Sequence, residues 1–142
     1  MTALTAALIL HMSVVSANPQ SYADAQKASL ESGKPLLVLV GAQWCHACVD
    51  MKSAVVPELQ RRGAFNGVNF AQVDIDRQRA TAQELTNSGS IPQLILYRKA
   101  ETGTGWRKWE VTGLQTPEAV EQFIRNGMPE EKTASATPVS KR

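Results

Sequence analysis

Cysteine is scarce in this chain: Cys45 and Cys48 are the only two in 142 residues. A bridge between them would close too small a ring to stiffen the unfolded chain, so a purely structural disulfide is a poor reading. There is no second CxxC to complete the four ligands that structural zinc usually takes. A haem attachment motif would need a histidine where Val49 stands. Long runs of one charge are also missing. Fifteen Lys and Arg against thirteen Asp and Glu give a net charge of +2, and that balance does not suggest a nucleic-acid partner. No apolar run reaches the roughly 20 residues that span a bilayer, and there is no internal repeat. What is present, with 43% apolar residues, is enough for one domain with a real core.

Residues 1–17, MTALTAALILHMSVVSA, read as a secretory signal peptide. Ala3 to Leu10 is mostly apolar, and Val15-Ser16-Ala17 offers the small residues at which a signal peptidase cuts. No Lys or Arg precedes the apolar run, and His11, to which no role is assigned, interrupts it. The expectation is an exported chain, periplasmic or extracellular, with no membrane span after cleavage. If residues 1–17 are instead an ordinary N-terminal helix, the chain is cytoplasmic. The domain is expected over 18–127. From Met128 the composition turns to Pro, Glu, Lys, Ser and Thr, so 128–142 are expected to be a disordered tail.

The informative stretch is Leu36 to Leu59. Five apolar residues, Leu36 to Val40, suit a strand buried on both faces. After a turn come Cys45-His46-Ala47-Cys48. Cys48, Met51, Val55 and Leu59 then share one face of a helix. A helix N-terminus carries unpaired N–H groups and partial positive charge. A thiol placed there ionises more readily, and the thiolate is the nucleophile of disulfide exchange. Cys45, the more exposed sulfur, would attack, and Cys48, one turn later, would resolve the mixed disulfide. A protonated His46 would favour the Cys45 thiolate further, although His46 also reads as a solvated polar residue. Trp44 reads as a packing and shape element beside the site. Cys45, His46 and Cys48 would hold a soft metal only with a ligand from outside, so no metal site is assigned.

Around this unit, Ser21-Tyr22-Ala23-Asp24 has the S-x-x-D capping pattern for a helix from Tyr22 to Ser32, ended by Gly33. Its apolar stripe is read as Tyr22, Ala25, Ala28 and Leu30. Pro57 predicts that the helix after the cysteines kinks or stops near Val56, with a short second piece to about Arg62. Val68 to Val73 reads as a strand, with Asp76 as cap of a helix from Arg77 to Thr86. Leu94 to Tyr97 is a further strand, and Trp106 to Val111 its hairpin partner, with Trp109 and Val111 on one face. Trp106 and Trp109 read as hairpin packing. Thr116-Pro117-Glu118 starts a helix with an apolar stripe of Ala119, Val120, Phe123 and Ile124, ended by Gly127. Pro92, at the entrance of an apolar strand, is compatible with a plain trans bond or with a cis Ile91–Pro92 bond. Gln43 and Gln93 flank the site without an assigned mechanism. The order of elements predicts an α/β fold, a mixed sheet with helices on both faces.

Trp44-Cys45-His46-Ala47-Cys48 after a buried strand, Ile91-Pro92 before a later one, Gly113 and a C-terminal amphipathic helix together resemble the thioredoxin superfamily. The resemblance covers about Ser21 to Gly127, and the helix broken at Pro57 and followed by VDID looks like the exported thioredoxin-like domains. It implies a thioredoxin-like fold with a central sheet of about four strands. It implies a thiol–disulfide oxidoreductase with Cys45 as nucleophile and Cys48 as resolving thiol, and a cis Pro92 beside Cys45. It also implies a substrate surface of Trp44, Ile91 and Pro92 on which the Ile91 backbone pairs with an extended segment. No cofactor is expected beyond the Cys45–Cys48 disulfide itself. The expected partners are protein thiols or disulfides and an upstream redox protein, and a monomer is expected. The second class of function is a non-catalytic module that holds an extended peptide or a soft metal on the same surface. Two positions depart from the family. Its buried carboxylate, six residues before the first cysteine, is here Leu39, and its partner lysine on the next strand aligns with Gln72.

Overall fold

The computed structural model describes residues 20–86 and 89–127. The readings of 1–17 as a signal peptide and of 128–142 as a tail lie outside them. Helix α1 (Tyr22–Ser32) is followed by strand β1 (Leu36–Gly41). Next come α2 (His46–Asp50), a π-helical turn (Met51–Val55) and α3 (Val56–Arg61). Then follow β2 (Asn69–Asp74), α4 (Arg79–Leu85), β3 (Gln93–Lys99), β4 (Trp106–Thr112) and α5 (Pro117–Gly127). The four strands form one sheet in the order β2-β1-β3-β4. β1 runs parallel to β2 and antiparallel to β3, and β3 pairs antiparallel with β4. The fold is thioredoxin-like α/β.

Side-chain alternation divides the core between the faces of the sheet. On one face Leu37, Leu39, Leu94 and Leu96 meet Met51, Val55, Val56 and Leu59, and α5 adds Val120 and Ile124. On the other, Leu36, Val38, Val40 and Ile95 meet Ala25 of α1 and Ala82 and Leu85 of α4. β1 lies in the middle with helices over both sides, which is why Leu36 to Val40 form an unbroken apolar run and are all buried.

The local signals act as expected at several ends. Ser21 Oγ accepts the Asp24 N–H, and Gly33 closes α1 in the left-handed region at φ 73°. Thr116 Oγ1 accepts the Ala119 N–H at the start of α5. The break expected near Val56 takes a particular form at Pro57. A π turn precedes it, in which the Val56 N–H reaches the Met51 carbonyl, and α3 continues to Arg61. Pro57 therefore takes the first turn of the resumed helix, where a missing N–H costs little. In α1, Leu30 faces solvent while Ser29 is buried, its Oγ accepting Asn69 Nδ2 at 2.9 Å. Gly127 is buried against Leu96, whose side chain occupies the space a Cβ would need.

Tyr22 of α1 and Tyr97 of β3 both pack against the second face. Burial raises each phenol above its ordinary value of 10.0, Tyr97 and Glu84 add to the shift at Tyr22, and Glu110 adds to that at Tyr97. In the unfolded chain these phenols ionise first, so the stability they carry is full below pH 10 and is lost as pH rises through the folded pKa. Urea midpoints measured across this range are expected to fall less steeply in the Tyr22→Phe/Tyr97→Phe variant than in the parent. Equal slopes would remove the two phenols as the cause.

Candidate active site

The two cysteines lie where β1 hands over to α2. Cys45 is the N-cap residue, extended at φ −89° and ψ 111°, and its Sγ accepts the Cys48 N–H at 3.2 Å. Its carbonyl accepts the Val49 N–H at 3.0 Å, the first bond of the helix. Sulfur thus stands where a Ser or Asp oxygen would cap, in contact with one of the helix's spare donors. Cys45 and Cys48 are joined as a disulfide with their Cα atoms 5.2 Å apart. Cys45 is half-buried, and Cys48 is only 5% exposed. Gly41, the last residue of β1, explains how the helix comes so close. A Cβ there would lie 3.0 Å from the Cys48 Cβ and 3.2 Å from its Sγ.

Trp44 is 68% exposed, yet its indole Nε1 donates to Asp76 Oδ2 at 2.9 Å. Asp76 has the spacing of a helix cap. The carboxylate that serves its turn is Asp74, whose Oδ1 accepts the backbone N–H groups of Asp76 and Arg77 at 2.9 and 3.2 Å. α4 then starts later, at Arg79. Asp76 is left to hold the indole from 32 residues away. Spacing along the chain offers no signal for that contact.

The Ile91–Pro92 bond is cis. The register pairs Val40 with Gln93, so Ile91 and Pro92 continue at the end of the sheet where β1 turns toward Cys45. The Pro92 carbonyl accepts the Gly113 N–H at 2.8 Å, and Gly113 sits at φ 94°, where glycine is strongly favoured. The cysteines, Trp44 and Ile91–Pro92 therefore share one end of the sheet. His46 is the first residue of α2 and is exposed. Gln93 is buried, and its Oε1 has no hydrogen-bond partner. Gln43 lies exposed in the turn.

Behind Cys48 an open cleft of about 560 Å³ runs along the β1–β2 side, with Leu39, Gln72, Lys52 and Asp74 among its walls. Leu39 and Gln72, direct partners in the β1–β2 register, are neutral, while Gly41, the strand residue against Cys48, pairs with Asp74. No cluster of three metal-ligating side chains occurs among the described residues. Among them, no helix is long and apolar enough to cross a membrane.

Residues 13–126 match the family model Thioredoxin. The chain belongs to the thioredoxin family. Thioredoxin Asp f 28 of Aspergillus fumigatus is 32% identical over 74 residues, which are 51% of this chain and 64% of that protein. The match thus spans less than two thirds of that relative's length. Mitochondrial thioredoxin 3 of Saccharomyces cerevisiae, in its oxidised form, superposes with a TM-score of 0.52 at 22% identity, covering 71% of this chain and 87% of that one. The reduced thioredoxin pre-protein of Schistosoma mansoni gives a TM-score of 0.55 at 21% identity, covering 78% and 95%. At these identities the two structures speak for the thioredoxin fold alone.

The indole contact has a measurable consequence. Asp76→Ala leaves the Trp44 N–H without its acceptor, and a loss of about 0.5–1.5 kcal/mol in urea unfolding is expected, the net worth of a typical hydrogen bond. One of the three indole N–H resonances should shift and exchange faster with water, whereas Asp76→Asn, which keeps an acceptor oxygen, should largely hold it. Three unmoved resonances in Asp76→Ala would refute the assignment.

Proposed function

We propose that the chain is a thiol–disulfide oxidoreductase acting on protein thiols or disulfides. The observation that carries this reading is the Cys48 N–H donated to Cys45 Sγ at the start of α2. In the reduced protein the same donor and the same helix end would stabilise negative charge on Cys45, making it both a nucleophile at neutral pH and a good leaving group. Cys45 attacks a substrate disulfide, forming a mixed disulfide and expelling one substrate thiolate. Cys48 then attacks Cys45 Sγ, closing the internal disulfide and releasing the second. The reverse sequence oxidises a substrate dithiol.

The other residues of the site have supporting roles in this reading. Trp44 and Ile91–Pro92 flank the reactive sulfur and form the surface on which an extended substrate segment lies. The Ile91 backbone is the element that would pair with it. His46, one residue past Cys45, would add positive charge beside the reactive sulfur when protonated. An upstream redox protein returns the pair to its working state. No cofactor enters the scheme.

An insulin-reduction assay with a dithiol as electron source tests the assignment. Turnover is expected in the parent and its loss in Cys45→Ser. Cys48→Ser should accumulate a mixed disulfide on Cys45, visible as a mass adduct removed by reductant. Equal behaviour of the three proteins would overturn the enzyme reading in favour of a module that only binds.

We also propose that the chain is exported, on the strength of the apolar run Ala3 to Leu10 and the small residues Val15-Ser16-Ala17. Expressed with its own N-terminus in a bacterial host, it should be found outside the cytoplasm with Asn18 as its first residue by intact mass. Full-length chain confined to the cytoplasm would overturn this.

A further inference from the structure

The exchange reading asks more of Cys48 than of Cys45. Cys48 must lose a proton before it can resolve the mixed disulfide, yet it is 5% exposed and part of the core. Burial disfavours a thiolate. It lines the cleft along β1 and β2. Among the strand residues that line its cleft, Leu39 and Gln72 are neutral, and Asp74, the register partner of the Gly41 that abuts Cys48, carries a negative charge that disfavours a thiolate.

Three charged side chains line that cleft: Lys52, Asp74 and Arg77. Asp74 is engaged, its Oδ1 receiving the Asp76 and Arg77 N–H groups. Arg77 is exposed in the turn after β2. Lys52 alone of the three stands on the helical segment that carries Cys48. It follows Cys48 by four residues, in the π turn that continues α2. It lines the same cleft as Cys48. It is exposed and enters no ion pair among the described residues. The remaining charged or titratable groups near Cys48 on its own helix are His46 at the helix start and Asp50, both exposed.

We propose that Lys52 is a positioning residue for the resolving step: its ammonium, acting across the cleft, favours the Cys48 thiolate where Leu39 and Gln72 supply no charge. The proposal rests on the exchange reading above. In the step itself the Cys48 proton passes to water in the cleft. The thiolate attacks Cys45 Sγ and forms the Cys45–Cys48 bond. The bond from Cys45 to the substrate sulfur breaks, and its electron pair leaves with the substrate thiolate, which is protonated by solvent. Lys52 takes no proton and keeps its charge throughout.

Stopped-flow mixing of the fully reduced protein with excess dipyridyl disulfide separates the two cysteines, because this reagent is neutral and each released thiopyridone absorbs. The first phase reports attack by Cys45, and the second reports closure by Cys48. Lys52→Gln is expected to leave the first phase unchanged, to slow the second about three- to tenfold at neutral pH, and to move its pH midpoint upward, as removal of a nearby cation does. Lys52→Arg should restore the second phase. Added salt should slow the parent toward the Lys52→Gln rate, because an exposed cation acting over several ångströms is screened. An identical second phase in Lys52→Gln and parent, or failure of Lys52→Arg to restore it, overturns this proposal while leaving the exchange reading intact. A reduced parent protein that gives no second phase at all overturns both.

Discussion

The contact on which the site depends is the hydrogen bond from the Cys48 N–H to Cys45 Sγ. It is a capping interaction made by sulfur, and it exists only because β1 delivers Cys45 to the first position of a helix. That delivery is secured by burial. β1 is covered on both faces, so a slip of one residue would exchange two sets of packed side chains at once. Gly41 then ends the strand without a side chain, and Cys48 packs close against it, where a Cβ would be crowded. Strand register, helix start and sulfur position are one constraint.

The second half of the site arrives from elsewhere in the chain, and the sheet brings it in. Pairing of Leu36 with Tyr97 through Val40 with Gln93 sets Ile91 and Pro92 at the end of the sheet where β1 turns toward the cysteines. The Gly113 N–H fixes the Pro92 carbonyl from the far end of β4. Trp44 is held from the turn after β2. Four separate segments thus meet at one end of the sheet, which holds a reactive group more tightly than a loop by itself does.

What the sequence makes legible is whatever is decided within a turn or a strand. The caps at Ser21, Gly33 and Thr116 are local chemistry, and the helices begin or end there. The apolar runs give the strands to within a residue or two, and the WCxxC at a strand-to-helix junction points to the reactive pair. Pro57 signals a break and a short second piece, and the structure has both: a π turn, then α3 with Val56 and Leu59 packed into the core. The readings that change, at Leu30 and Asp76, involve partners distant in the chain. Ser29 displaces Leu30 from the buried side of α1 because Asn69 waits for its hydroxyl. Asp76 has the spacing of a cap but a hydrogen bond to Trp44.

The two sulfurs end up in environments of different kinds. Cys45 is stabilised by backbone: a peptide N–H and the end of a helix, which any sequence that keeps the helix also keeps. Cys48 sits over a sheet interior that is neutral at Leu39 and Gln72 and open along a cleft. Burying an ion pair there would carry a desolvation cost of several kcal/mol per ion. Leaving it out spares the core that cost and passes the handling of charge to the cleft wall, where Lys52 is solvated and needs no buried partner. Attack and resolution are then governed separately. In the proposed exchange, attack follows the integrity of α2, whereas resolution follows a surface side chain and the ionic strength around it. Substitutions along the cleft can therefore retune how fast a mixed disulfide clears without altering the helix end that forms it.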